Sequence, residues 1–196
     1  MPDRPHLVRG VDHAAFATFD PVATVHFYRD VLGFPVAHAI TAVGWGPAQH
    51  PDFVHFFFDI GGGDRIAFFY YFGTEPYRDD EVPRLLAEAR HLAIHVDSVE
   101  VLDDYQRRLD GSPWPCEMRV PHETLESIYV HDPNGYLIEL TCPTRMLGEA
   151  DREDGELTVE ALLEVAAAPD PSIAKLWSRK AELIARTAER LVEVTP

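Results

Sequence analysis

The chain has 196 residues, of which 46% are apolar and 26% charged, enough for one substantial domain or a domain with an appendage. Thirty-three acids against seventeen bases leave a formal charge of −16, a field that argues against nucleic acid or an anionic membrane as partner. No run approaches the roughly 18 apolar residues of a membrane span. The opening "MPDRPHLVRGVDH" holds no apolar signal-peptide core, so a cytoplasmic address is expected, with Cys116 and Cys142 as reduced thiols.

In chain order, a short apolar strand from His13 leads to Asp20-Pro21, an N-cap ahead of a proline at the first helical position. Val22, Val25, Tyr28, Val31 and Leu32 then recur at helical spacing up to Gly33, a suitable left-handed C-cap. Strands follow at about 34–42, in "FVHFFFDI" and, past the glycines at 61–63, in "RIAFFYYF". From His91 the order repeats. A strand precedes the cap at Ser98, a helix carries Val101, Leu102, Tyr105 and Leu109 to Gly111, and strands come around 115–120, in "SIYV" and in "YLIEL". The distance from histidine to glycine is twenty residues in both copies, and the period is near 78. Type, order and spacing coincide, which predicts an internal duplication of a strand-helix-three-strand unit.

After about residue 147 the pattern changes. "GEADREDGE" reads as an acidic linker, and two helices, "LTVEALLEVAAA" and "PSIAKLWSRKAELIARTAERLV", are broken at Pro169 and Pro171. Leu176, Trp177, Leu183, Ile184 and Leu191 line one face of the longer helix. That stripe is expected to pack on the parent domain or on a second subunit, and a homo-oligomer is expected.

"SIYVHDPNGYLIEL" places Glu139 in an otherwise apolar strand. A carboxylate in a core strand costs several kcal/mol unless it is paired, protonated or bound to a metal; an outward-facing Glu on an amphipathic strand is the alternative. Of the ten histidines, His6, His26, His38 and His50 sit in polar or helical settings and read as structural or exposed. His55 could face a pocket or solvent, and His95 shares a strand face with His91. His13 and His91 stand apart because they occupy the same place in both copies, each with an alanine two residues on, Ala15 and Ala93. If the two first strands meet, the imidazoles converge and Glu139 can approach, a donor set suited to a first-row divalent ion with open positions. The first-copy counterpart of Glu139 is read as Phe68, so three protein ligands are expected rather than four.

The paired units, "FYRDVLGF" and "DPNGYLIEL" resemble the vicinal oxygen chelate superfamily, which includes glyoxalase I, bleomycin-resistance proteins, epimerases and extradiol ring-cleaving dioxygenases. The resemblance covers about residues 8 to 145. It implies an α+β fold in which two tandem βαβββ modules, about 8–75 and 88–145, form a curved, barrel-like sheet around a metal site. The domain would run over 1–147, and 148–196 would be a C-terminal helical extension. It also implies a metal held by His13, His91 and Glu139.

Within the superfamily, His122, Ile128-Tyr129, Asp132-Pro133-Asn134-Gly135 and Glu139 are similar to the signature of extradiol dioxygenases. That likeness implies that His122 and Tyr129 hydrogen-bond substrate and intermediates. It further implies Fe(II), with Mn, Zn, Ni or Co as other ions, and a catechol-like aromatic substrate together with dioxygen. An acid-base histidine usual near the end of the first module is missing from "GGGDRIAFF", a departure that bears on ring cleavage more than on metal binding. The other function classes are a metal-dependent lyase, isomerase or epimerase of the glyoxalase type and a nonenzymatic small-molecule-binding, or resistance, protein.

Overall fold

The computed structural model describes residues 10–43, 51–75 and 89–194; His6 and His50 therefore lie outside the described residues. The chain divides into two compact units, 1–144 and 145–196. The first holds two copies of one topology. Strand β1 (His13–Thr18) leads into helix α1, which starts at Pro21–Val25 and widens to π-helical geometry over His26–Val31. Strands β2 (Val36–Ala42), β3 (Phe53–Gly61) and β4 (Asp64–Tyr71) complete the copy. The second copy is β5 (His91–His95), α2 (Val99–Asp110), β6 (Met118–Pro121), β7 (Leu125–His131) and β8 (Leu137–Pro143).

Local chemistry explains the boundaries. The Asp20 carboxylate accepts from Ala23 N at 2.9 Å and the Ser98 hydroxyl from Val101 N at 3.3 Å, each satisfying an orphan donor of a helix start. Leu32 N donates to Phe27 O at 2.9 Å, the i+5 spacing that widens α1. At the tip between β7 and β8, Gly135 has φ 84°, and the Asp132 side chain accepts from both Asn134 N and Tyr136 N. A left-handed glycine and an aspartate that caps the turn are what an Asp-Pro-Asn-Gly tip requires.

The sheets run β1-β4-β3-β2 and β5-β8-β7-β6, with β1 parallel to β4 and β5 parallel to β8. The two are separate and open, so the expected single barrel-like sheet curled around a metal is not formed. The reason lies in where the apolar faces go. Phe56, Phe58, Ile66 and Phe68 from one sheet and Ile128, Val130, Ile138 and Leu140 from the other share one buried cluster with Phe27 and Tyr28 of α1 and Leu102 and Leu109 of α2. The modules pack helix side to helix side. Because alternate strand residues point to opposite faces, the residues between these turn away from the shared core in both modules. The register also moves one assignment. Ala15 lies opposite Ala67 as Ala93 lies opposite Glu139, so the counterpart of Glu139 is Ala67, and Phe68 belongs to the core.

The second unit consists of α3 (Glu149–Ala166) and α4 (Ile173–Val194). Residues 148–156 are not a linker; all but Gly148 are helical. Gly148 N donates to Asp151 Oδ2 at 2.8 Å, and the acids of the first turn favour the positive end of the helix dipole. Arg179 Nη2 donates to Glu164 Oε1 at 2.9 Å, and Lys180 Nζ lies 2.7 Å from Asp154 Oδ1, joining the two helices. Leu183 is buried but Trp177 is 65% exposed and Ile184 is exposed as well; the Leu191 side chain lies outside the described residues. Among the described residues no helix is long and apolar enough to cross a membrane, and both cysteines are free thiols.

A polar joint ties the two modules. Tyr28 donates its hydroxyl to Asp132 Oδ2 at 2.9 Å, and Asn134 Nδ2 donates to Thr24 Oγ1 at 3.0 Å. Burial raises the Asp132 pKa above the ordinary carboxylate range, outweighing the donors from Asn134, Tyr136 and Tyr28. The folded chain therefore holds that proton more tightly than the unfolded chain. The resulting stability is complete below the unfolded pKa of about 3.9 and is lost as pH rises through the folded value. Removing the titration by Asp132→Asn should expose this. The advantage of the unmodified chain over the variant, read from urea midpoints, is expected to shrink from about pH 3.5 to neutrality; a constant difference would contradict it.

Candidate functional site

The faces turned away from the core carry the titratable groups. In module two, Ser127, Tyr129, Glu139 and Thr141 alternate with core residues along β7 and β8, while His91 opens β5. Glu139 is only 5% exposed. Its Oε2 lies 3.0 Å from His91 Nε2. Its Oε1 accepts from Ser127 Oγ at 2.5 Å, and Ser127 is in turn 3.0 Å from Thr141 Oγ1. His91 and Glu139, two members of the expected metal set, thus converge, with Ser127 anchoring the other oxygen of the carboxylate.

Tyr129 and His122 meet as well, with the phenol oxygen 2.9 Å from His122 Nε2. Burial raises the Tyr129 pKa, and the Glu139 charge raises it further. Tyr129 accordingly stays a phenol, in hydrogen-bond contact with His122. The His91 and Tyr129 ring centroids are 6.3 Å apart, which places the carboxylate, two imidazoles and the phenol in one group.

His13 belongs elsewhere. Its Nδ1 donates to Asp12 Oδ1 at 2.8 Å, a contact that lowers the Asp12 pKa. Its ring packs edge-on against Phe57 at 5.3 Å and His55 at 5.9 Å. His55 is buried, stacked on Phe69 at 3.6 Å, and donates from Nδ1 to Phe68 O at 3.1 Å; desolvation lowers its pKa, keeping it neutral. His38, set aside on sequence grounds, lines a cavity of about 630 Å³ with His13, Asp12, Phe57 and Arg65. Asp12 and His55 are the residues sequence reasoning missed or left open. The adjacency of Asp12 to His13 was a visible signal, whereas the face of His55 was not. His26 is exposed and contacts Asp30 at 3.2 Å, and His95 lies exposed 3.8 Å from Asp97, so neither joins a site.

His13, His91 and Glu139 therefore do not meet within one chain. Among the described residues no three His, Cys, Asp or Glu side chains lie together as a metal-holding group. His91 and Glu139 fit a divalent ion as two donors, and the described residues supply no third beside them. A larger cavity of about 980 Å³ is lined by Phe16, Arg90, His91, His131, Asn134 and Tyr136. It reaches His91 but none of Ser127, Tyr129, His122 or Glu139. The anchored carboxylate and the phenol-imidazole pair lie outside its lining.

A profile described as the Glyoxalase/Bleomycin resistance protein/Dioxygenase superfamily matches residues 10–140. Among solved structures, the chain is similar to a glyoxylase/bleomycin resistance protein/dioxygenase domain from Frankia sp. EAN1pec, with a TM-score of 0.53, 18% identity, and 74% of this chain and 98% of that one covered. A glyoxalase family protein from Enterococcus faecalis has a TM-score of 0.50 at 18% identity, covering 68% of this chain and 97% of its own. The fosfomycin resistance protein FosX from Listeria monocytogenes has a TM-score of 0.50 at 17% identity, covering 70% and 96%. At these identities the likeness is one of fold. Comparison with curated proteins gives no significant match.

The Ser127 anchor is testable without a substrate. Ser127→Ala leaves a buried carboxylate oxygen without its donor, which should cost about 1–3 kcal/mol in urea unfolding. Ser127→Thr, which restores a hydroxyl, should recover much of the loss. Full stability in Ser127→Ala would show that the hydrogen bond does not hold Glu139.

Proposed function

The chain belongs to the glyoxalase/bleomycin resistance protein/dioxygenase superfamily, and we propose that it is a lyase or isomerase of the glyoxalase type, acting with a divalent metal on a small oxygen-bearing molecule. The observation that carries this reading is the buried Glu139 carboxylate, held by Ser127 on one oxygen and facing His91 Nε2 at 3.0 Å on the other. His13 is the third ligand, and it comes from a second copy of the chain. In support, β1 and β5 are edge strands of their sheets among the described residues, a position open to pairing with another chain. His13 and His91 begin those two edges, and an isologous pair of chains would complete two sites at once.

When bound, the ion would supply Lewis-acid charge that lowers the pKa of a substrate hydroxyl. The protein side of the chemistry is proton handling. Tyr129 stays protonated beside Glu139 and would give its phenol proton to substrate oxygen, His122 would return a proton to the phenolate from Nε2, and Ser127 keeps Glu139 from turning away. Phe57, Phe69 and Tyr71 alternate with core residues on β3 and β4 of the His13 face and would offer an apolar wall to the substrate.

One observation favours a second reading, extradiol cleavage of a catechol-like aromatic with Fe(II) and dioxygen: the His122–Tyr129 contact of 2.9 Å joins the two residues that such chemistry would use. Oxygen uptake on a catechol panel separates the two readings, since a lyase or isomerase turns over without dioxygen and with zinc or magnesium in place of iron. In either case Tyr129→Phe should keep metal content and lower turnover about a hundred- to ten-thousand-fold. Tyr129→Phe turning over like the unmodified chain would remove the phenol from the mechanism.

The shared site has its own test. His13→Ala and Glu139→Gln should each abolish tight Co(II) binding. Random re-pairing of the two variants should restore about a quarter of the sites, because half the dimers are mixed and each mixed dimer rebuilds one intact site. Retention of metal by His13→Ala would contradict the assignment, and absence of metal from the unmodified chain would leave a small-molecule-binding protein.

A further inference from the structure

The cavity of about 980 Å³ plays no part in the chemistry proposed at Glu139. Both modules line it, Ala14 and Phe16 from β1 of the first, and Leu92, Tyr136 and Leu137 from the second. Phe16, Leu92 and Tyr136 are half-buried and pack against the shared apolar core, so the cavity is an inlet of that core. Phe16 and Tyr136, one from each module, set their ring centroids 4.8 Å apart, an aromatic pair across the seam. A space of this size suits a small organic molecule.

The duplicated topology does not by itself dictate this lining. Ala14 follows His13 as Leu92 follows His91, and the smaller side chain leaves room. Leu137 lies opposite His91 as Arg65 lies opposite His13, so Tyr136 and Leu137 hold the places that Asp64 and Arg65 hold in the first module. The polar side chains around the cavity are already engaged. Asp20 accepts from Ala23 N at 2.9 Å, His131 Nδ1 contacts Glu117 Oε1 at 2.8 Å, Asn134 Nδ2 donates to Thr24 Oγ1 at 3.0 Å, and His91 faces Glu139. Arg90 has a partner as well. An ion entering here would give up water without an unpaired counter-charge to receive it. An apolar ring would exchange hydrated surface for contact with Phe16, Leu92 and Tyr136.

We propose that this cavity is a second ligand site, for a neutral fused-ring aromatic molecule seated against Phe16 and Tyr136. An apolar space that opens from a core takes such molecules because water gains little there. The site has only His91 in common with the proposed metal ligands. It needs no metal and no second copy of the chain, and it does not depend on the functional reading.

The test titrates the full, metal-free chain with three probes of one shape, naphthalenemethanol, naphthoate and naphthylmethylammonium, by calorimetry. The neutral probe is expected to bind at a single site per chain, and each charged probe about tenfold more weakly. Ala14→Phe, which fills the space beside Phe16, should keep the circular dichroism of the unmodified chain and weaken the neutral probe about tenfold. Nuclear Overhauser contacts from the probe's ring protons to the methyl groups of Ala14 and Leu92 locate it in the unmodified chain, whether or not the variant folds. No binding of the neutral probe, equal or tighter binding of a charged one, unchanged binding in a folded Ala14→Phe, or contacts absent from Ala14 and Leu92 would each overturn the proposal. Failure of the Co(II) complementation leaves this result untouched, because none of these readouts involves His13, Glu139 or a metal.

Discussion

A single apolar core shared by two modules determines where every polar side chain of the first unit can go. Both sheets give their alternate Phe, Ile, Leu and Val residues to that core through α1 and α2. Every intervening residue is thereby committed to the other face. His13, His55 and Phe57 share that fate in one module, and Ser127, Tyr129 and Glu139 in the other. Rolling both sheets around one metal would require exposing Phe58, Phe68, Ile128 and Leu140, which are fully buried. At about 1.5–3 kcal/mol for each large apolar side chain, that exposure would cost about 6–12 kcal/mol. The same packing sets His13 apart from His91 and Glu139 within one chain.

Glu139 shows how a costly group is tolerated. Its burial would be severe alone, but Ser127 and His91 each satisfy an oxygen. The pairing offsets desolvation in the folded chain and keeps the carboxylate aimed. Tyr129, made a poorer acid by burial and by Glu139, keeps its proton beside His122. Position and protonation state are thus set by the same few contacts.

Much of this was legible from the residues. Asp20, Ser98, Gly33 and Gly135 mark helix starts, a helix end and a turn by local chemistry, so the order of elements in both modules could be read without tertiary information. The oddity of Glu139 in an apolar strand pointed to the group that includes His91, and the His122–Tyr129 pair is together in space. Register was not legible: placing Phe68 opposite the role of Glu139 was wrong by one residue, because strand pairing depends on a partner far along the chain. Sheet closure was not legible either, since it depends on which face of α1 meets which face of α2. Residues 148–156 were misread because acids and glycines suggest a linker, whereas Asp151 at Gly148 N and the acid-favouring first turn make them a helix start.

The central proposal is that His13 of one chain completes a metal site with His91 and Glu139 of another. Sedimentation across a range of protein concentrations, with and without Co(II), tests it most directly. If His13 of one copy completes the site of another, ion binding and association are linked, so Co(II) should tighten association of the chain and bind more strongly as protein concentration rises. Co(II) bound tightly to a monomer, at an affinity indifferent to protein concentration, would contradict the account.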